Sequence, residues 1–327
     1  MLFEHVEEDL RLRVQSMSWE SESVLSVCLR ALDESLLPSW RPGAHIDLHL
    51  PADATSERVL IRQFSLSGAP EDRSHWRVTV LREPEGGGGS EYVHDRLRPG
   101  DILDVVGPRN NFELHDADEY LFIAGGVGIT PILPMIESVE RAAAPWRLMY
   151  GGRSRRTMAF VAELERHGSK VTVWPQDEHG LLDLDAFLGR PRDGVGIYCC
   201  GPEGLLAAVE QQCDSWPDRT LHLERFKPKQ QAPHDPDEEQ AFEVVLERSG
   251  TTLAVPSGMS VLEALENAGI EPLTSCREGI CGTCETKVLA GTPDHRDSLL
   301  SDEERAEGGT MMICVGRALS EKLVLDL

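Results

Sequence analysis

Between residues 44 and 50, apolar Ala44, Ile46, Leu48 and Leu50 alternate with His45, Asp47 and His49, the period of two that marks a half-buried strand. The segments VLIRQFSLSG (59–68), WRVTVLRE (76–83) and DILDVVGP (101–108) read as further short strands, bounded by Pro, Gly or Asp turns. Six or so such strands, with no convincing long helix in the first hundred residues, predict a small antiparallel barrel. His45, Asp47 and His49 are read as a solvated strand face rather than as metal ligands.

From about residue 118 the period changes. YLFIAGG (120–126) is a buried strand that runs into VGITPILPMIESVERA (127–142), a helix expected to start with Thr130 as N-cap and Pro131 at its first position. WRLMYGG (146–152) with TMAFVAELERHG (157–168), and GVGIYCCGP (194–202) with EGLLAAVEQQC (203–213), repeat the strand–loop–helix unit. Three such units imply a parallel sheet covered by helices. Residues 228–240 are Pro-rich, charged and nearly free of apolar side chains, as a linker would be. Beyond it come an expected hairpin (241–258), a short helix ending near Gly269 and a last strand, KLVLDL (322–327). The expected division is therefore a barrel over 1–112, an α/β domain over 113–227, the linker, and a third domain over 241–327.

The chain has 327 residues, enough for several cores, and a formal net charge of −24. That charge argues against nucleic acid and anionic membranes as partners. The acidic start, MLFEHVEEDL, lacks the apolar stretch of a signal peptide, and the longest uncharged run, Tyr120 to Ile136, is short for a spanning helix and broken by Gly and Pro. A cytoplasmic protein is expected, in which eight cysteines serve as metal ligands or buried thiols rather than disulfides.

Four of those cysteines form a pattern: Cys276-x4-Cys281-x2-Cys284, then 29 residues, then Cys314. This is the plant-type [2Fe–2S] spacing. Gly279 and Gly282 would let the loop curl over the cluster and turn amide N–H groups toward the sulfurs. A four-cysteine zinc site is the competing reading, but such sites tend to use two separated C-x2-C pairs. Cys28 and Cys213 read as buried thiols without a role. Gly125, Gly126 and Gly128 lie between a strand and a helix N-terminus, where backbone N–H groups can hold a pyrophosphate. The spacing is not that of the standard dinucleotide fingerprint. A second glycine turn, CCGPEG (199–204), ends a later strand, where open sheets bind ligands.

Taken in order, RQFSLSG, GGGGSEYVHDRL, GGVGITP, YCCGPEG and the C-terminal cysteine spacing resemble the phthalate dioxygenase reductase family of the ferredoxin–NADP reductase-like superfamily, over nearly the whole chain. The resemblance implies an FMN-binding β-barrel, a nicotinamide-nucleotide domain and a β-grasp ferredoxin domain. Arg62, Gln63, Phe64 and Ser65 match the flavin motif: Arg62 at the FMN phosphate, the Phe64 ring against the flavin in place of the usual Tyr, and Ser65 near flavin N5. Gly86 to Ser90 match a phosphate loop, with Gly87 where Arg is common and Gly88, Gly89 and Ser90 as donors. Gly125, Gly126, Gly128, Thr130 and Pro131 match the pyrophosphate loop. Cys200, Gly201 and Pro202 match the turn beside the nicotinamide, and Glu224 and Phe226 the end of the nucleotide domain. Ser65, Cys200 and Glu224 are the residues expected at the hydride-transfer site.

Ser154 stands where many NADH-using members carry an Asp, while Arg153, Arg155 and Arg156 offer positive charge for a 2′-phosphate. Family habit favours NADH and local charge NADPH; NADH is the expected donor. A nicotinamide gives up two electrons together and a [2Fe–2S] cluster accepts one, so a flavin that exchanges either number belongs between them. The implied acceptor is a terminal oxygenase, either a Rieske protein or a cytochrome P450. Residues 235–327 carry 19 acidic and 7 basic residues, half the net charge of the chain, so docking is expected through an acidic ferredoxin domain. The alternatives are a zinc-stabilised nucleotide-binding adaptor without turnover and a stand-alone quinone or small-molecule reductase.

Overall fold

The computed structural model describes residues 8–51, 59–84, 87–229 and 239–327. It divides into two units, the first ending at Glu224 and the second beginning at Arg225. The greater part of the expected linker lies outside the described residues, as does Gly86 of the glycine run.

In the first unit, strands β1 (Glu8–Ser21), β2 (Val24–Ala31), β3 (Ala44–Pro51), β4 (Val59–Ser65), β5 (Trp76–Leu81) and β6 (Ile102–Asn110) form an antiparallel sheet in the order β4-β3-β6-β1-β2-β5. The sheet curls toward closure, because Leu66 beyond β4 bridges Val78 of β5. Ile46, Leu48, Leu50, Leu66, Trp76 and Val78 fill its interior, none of them solvent-exposed. The alternation in β3 places these residues correctly but misjudges their neighbours: His45 and Asp47 are buried too, so this is not a solvated face. Ion pairing resolves it. Arg109 of β6 reaches Asp47 at 2.6 Å, and Gln63 donates to the same carboxylate at 3.1 Å.

Strands β7 (Glu119–Gly125), β8 (Trp146–Gly152), β9 (Val171–Pro175), β10 (Val195–Cys200) and β11 (Leu221–Glu224) form a wholly parallel sheet in the order β11-β10-β7-β8-β9. Both faces are covered, which is why its strands read as apolar runs. Phe122, Ala124, Leu148 and Tyr198 face helix Ile129–Arg141; Leu121, Ile123, Ile197 and Cys199 face helix Glu203–Cys213. The second expected helix is reduced to Val161–Leu164 and a 3-10 turn, Glu165–Lys170. Thr130 is not the N-cap. A 3-10 turn, Gly126–Gly128, leads directly into the helix at Ile129, and the buried Thr130 hydroxyl donates back to the Val127 carbonyl at 2.9 Å. Cys28 is half-buried on β2, while Cys213 is buried at a helix end.

In the second unit, the hairpin β12 (Phe242–Leu246) and β13 (Thr251–Val255) joins β14 (Glu285–Ala290), β16 (Thr310–Met312) and β18 (Lys322–Leu325) in the order β13-β12-β18-β14-β16. The terminal strand β18 inserts parallel to β12. Strands β15 (Pro293–Asp294) and β17 (Arg317–Ala318) make a separate pair. Helix Val261–Asn267 is started by a reciprocal cap between Ser260 and Glu263 and buries Val261, Leu262 and Leu265 in the core. Gly269, at φ +78°, follows its end. Among the described residues no helix is long and apolar enough to cross a membrane.

Candidate functional site

At the edge of the first sheet, β4 presents Arg62, Gln63, Phe64 and Ser65. Arg62 donates to the Gly87 carbonyl at 2.9 Å and lies against Gly89, where a Cβ would stand 2.5 Å from its Cγ. Gly87 and Gly88 have φ of +69° and +89°, and helix Gly89–Asp95 begins there without a side-chain cap. The chain thus sets a guanidinium beside a turn of bare backbone, a donor set that fits a phosphate. Ser90 turns elsewhere: its hydroxyl accepts the Glu83 N–H at 3.0 Å and donates to the Glu83 carbonyl at 3.2 Å. Ser65 is buried opposite His45, Phe64 is half-buried against the barrel core, and Asp47 holds Gln63.

At the carboxyl ends of the second sheet, two glycine turns pack against each other. A Cβ on Gly128 would lie 2.2 Å from the Cys200 carbonyl oxygen; one on Gly125 would lie 2.7 Å from Pro202; one on Gly201 would lie 3.0 Å from the Gly125 backbone. Adjacent parallel strands bring their ends together here, and only residues without side chains allow that approach. Pro131 sits buried in the first turn of the helix that follows.

Cys200 and Glu224 are register partners on β10 and β11, and the thiol donates to Glu224 Oε2 across 3.7 Å. Burial pushes the Glu224 carboxyl up to about 8, with the thiol's hydrogen bond opposing the rise. Burial, and next the Glu224 charge, push the Cys200 thiol well above its ordinary value. Phe226 lies past the boundary at Arg225 and is 38% exposed.

The loop after β8 is more neutral than its sequence suggests. Ser154 and Thr157 cap each other, Arg155 pairs with Glu165 at 2.6 Å, and Arg156 pairs with Glu22 at 3.3 Å.

In the second unit the four patterned cysteines converge. Cys281, Cys284 and Cys314 are buried and Cys276 is half-buried. Arg277, Gly279 and Gly282 all take positive φ, which curls the loop on itself. Hydrogen bonds from the Cys281 and Cys314 thiols and from the Glu278 amide, at 3.3 Å, hold the Cys276 sulfur far toward its thiolate form. Cys284 is lowered by the same kind of contact with Cys314. Four gathered sulfurs, with an amide already aimed at one of them, fit the ligand set of an iron–sulfur cluster.

The antiparallel barrel, the parallel-sheet nucleotide fold and the four-cysteine ferredoxin fold together define a nicotinamide-dependent iron–sulfur oxidoreductase. The 2Fe-2S iron-sulfur cluster binding domain family matches residues 244–319, and the oxidoreductase NAD-binding domain family matches residues 122–211. The first match sets the zinc reading aside. The chain is 42% identical over 318 residues, 97% of each chain, to phenoxybenzoate dioxygenase subunit beta of Ectopseudomonas oleovorans. It superposes on phthalate dioxygenase reductase, described as a modular structure for electron transfer from pyridine nucleotides to [2Fe-2S], with a TM-score of 0.69, 33% identity and 98% of both chains covered. It also matches an intact type IV self-sufficient cytochrome P450 monooxygenase, with a TM-score of 0.90 and 43% identity, covering 98% of this chain but spanning 41% of that one. The chain belongs to the phthalate dioxygenase reductase family and is the reductase component of an oxygenase system.

The sequence reasoning did not find Asp47 with Arg109, Glu165, or Asp297 behind the cysteine loop. The polar positions inside the β3 alternation were the available signal for the first. For Glu165 and Asp297 the partners are near in the chain, Arg155 for the first and Leu299, Leu300 and Arg305 for the second, but no residue pattern marks the pairing.

Proposed function

We propose that this reductase takes a hydride from NADH onto FMN held by the first sheet, and passes electrons through a [2Fe–2S] cluster held by Cys276, Cys281, Cys284 and Cys314 to a Rieske oxygenase or a cytochrome P450. The observation that carries the reading is the convergence of those four cysteines in a chain that also pairs Cys200 with Glu224 at the sheet end beside the glycine turns. When bound, a flavin supplies the exchange between paired and single electrons that a nicotinamide and a cluster cannot make directly.

The protein's residues bind and orient. Arg62 and the Gly87–Gly89 turn would hold the FMN phosphate, and Phe64 and Ser65 would line the flavin site. Gly125, Gly126 and Gly128 hold the pyrophosphate of the dinucleotide. Cys200, Gly201 and Pro202 would seat the nicotinamide, and Glu224, paired with Cys200, would hold a proton at that site at neutral pH. Charge neutralisation of Arg155 by Glu165 and of Arg156 by Glu22 favours NADH over NADPH.

Docking of the oxygenase falls to the acidic ferredoxin domain. Leu273, 83% exposed and three residues before Cys276, with exposed Glu271 and Glu278, supports a contact around the cluster loop. A cytoplasmic location suits these eight cysteines, none of which forms a disulfide.

The test is the visible spectrum of the purified protein under argon, before and after NADH and, separately, NADPH. Flavin and iron–sulfur absorption bleached by NADH supports the reading. A colourless protein containing zinc overturns it. Rapid turnover of a quinone with no response to an added oxygenase favours the stand-alone reductase.

A further inference from the structure

Two segments outside the ligand set brace the cysteine loop. Gly279, at φ +68°, leaves no room for a side chain: a Cβ would lie 2.7 Å from Val315 Cγ2 and 2.9 Å from Asp297 Cα. Its carbonyl accepts the Ser298 N–H at 2.9 Å. Asp297, 2% exposed, stiffens that segment by accepting the Leu299 and Leu300 amides at 3.1 and 2.8 Å and the Arg305 guanidinium at 3.2 Å. The other brace is the turn that carries Val315 from Cys314 to Arg317.

Both braces end in an arginine, and one carboxylate holds the two arginines together. Glu239 pairs with Arg296 at 2.7 Å and with Arg317 at 3.1 Å, and it also accepts the Gly258 N–H at 2.8 Å. The side chain of Arg317 is 3% exposed and that of Glu239 10%. Arg317 further donates to the carbonyls of Pro256, Met259 and Gln240, so it stitches the start of β12 and the turn before helix Val261–Asn267 to the residues after Cys314. Arg296 also pairs with Asp294 at 2.7 Å. Lys229, the last described residue before Glu239, donates its amide to Ser298 at 2.8 Å. A cleft of about 360 Å³ is bordered by Lys229, Glu278, Arg296, Val315 and Arg317, which makes this network a direct neighbour of the cysteine loop.

We propose that Glu239 is a positioning residue for the iron–sulfur centre: by clamping Arg296 and Arg317 it holds both braces against the cysteine loop, at the point where the chain enters the ferredoxin domain. The proposal rests on the reading of the four cysteines as [2Fe–2S] ligands. Two guanidinium groups balance Glu239 and Asp294, so the network is neutral as built. Removing one carboxylate leaves an uncompensated positive charge beside the cluster, which favours its reduced, more negative state. Removing one guanidinium does the reverse. A part that matters for packing alone would change stability without ordering the potentials by charge.

The experiment uses the full-length holoprotein as wild type, E239Q, R296Q and the E239Q/R296Q double variant. It measures the cluster's midpoint potential by redox titration monitored by electron paramagnetic resonance, and amide hydrogen exchange over residues 277–284. The expected result is a positive shift in E239Q, a negative shift in R296Q and a return toward wild type in the double variant, with faster exchange of the loop in E239Q. Loss of iron from E239Q that the double variant restores supports the proposal equally. Unchanged potentials and unchanged exchange in iron-replete E239Q overturn it, as do shifts of the same sign in both single variants. Failure of the cluster reading itself shows separately, as a wild-type protein without iron.

Discussion

Cys200 and Glu224 end neighbouring parallel strands as direct register partners, with the thiol 3.7 Å from the carboxylate. The carboxyl is pushed up to about 8 by burial. Between the ordinary value of 4.5 and about 8, the folded chain therefore carries a proton that the unfolded chain has lost. Stability from this group is fully present below about 4.5 and falls as pH rises to about 8, by at most about 1.4 kcal/mol per pH unit. Glu224→Gln removes that slope. The difference in unfolding midpoint between wild type and E224Q from pH 5 to 9 measures it. Flavin reduction by NADH should carry an inflection near pH 8 in wild type and none in E224Q.

Gly128 tests the meeting of the two glycine turns. A Cβ there lands 2.2 Å from the Cys200 carbonyl, so Gly128→Ala must push apart the two glycine turns proposed to hold the dinucleotide. Overpacking of this kind costs about 1–3 kcal/mol. The expected outcome is at least a tenfold weaker NADH affinity in stopped-flow flavin reduction, with flavin content and the iron–sulfur spectrum retained.

Much of this arrangement was legible before any coordinates, because close-range patterns announce it. Four cysteines at fixed spacing and glycine turns at strand ends need no distant partner to be recognised. What escaped depends on pairing across the chain. Asp47 looked solvated because Arg109, its partner, sits on a strand more than sixty positions later. Arg155 and Arg156 looked available because Glu165 and Glu22 lie outside their loop. Thr130 looked like a helix cap because propensity favours it there, but the 3-10 turn before it starts the helix earlier. Strands β9 and β11 went unassigned because each is short and half-buried, five and four residues long, without a sustained apolar run to mark it.

Gly279→Ala tests the iron–sulfur site independently of flavin reduction. The positive φ of Gly279 and its contacts with Val315 and Asp297 leave no place for a methyl group. The left-handed backbone alone costs a non-glycine residue about 1–2 kcal/mol. In Gly279→Ala the iron content per chain and the iron–sulfur absorbance should fall by more than half. Flavin reduction by NADH should stay within about twofold of wild type, since the residues proposed for it belong to the other unit. Iron analysis and anaerobic stopped flow report the two separately.

Donor choice turns on Glu165. It pairs with Arg155, one of the two arginines that flank Ser154 in the loop after β8. Glu165→Gln frees that guanidinium for a 2′-phosphate, and exposed charge pairs of this kind contribute on the order of 1 kcal/mol. The kcat/KM for NADPH should rise about fivefold while that for NADH changes little. Steady-state kinetics with each nucleotide, at low and high salt, decide it.

The acidic excess of the C-terminal domain, 19 acidic against 7 basic residues over 235–327, predicts how the reductase meets its oxygenase. If the charge steers encounter, screening must weaken it, because the Debye length falls to about 10 Å at 0.1 M salt and shortens further above that. The second-order rate of electron transfer to the oxygenase should drop roughly tenfold between about 30 mM and about 300 mM salt. Flavin reduction by NADH in the same samples is the internal control, since a general effect of salt on the protein would slow both. An acceptor rate that ignores ionic strength would leave the acidic residues as a solubility feature and shift attention to the exposed Leu273 beside Cys276 as the main docking contact.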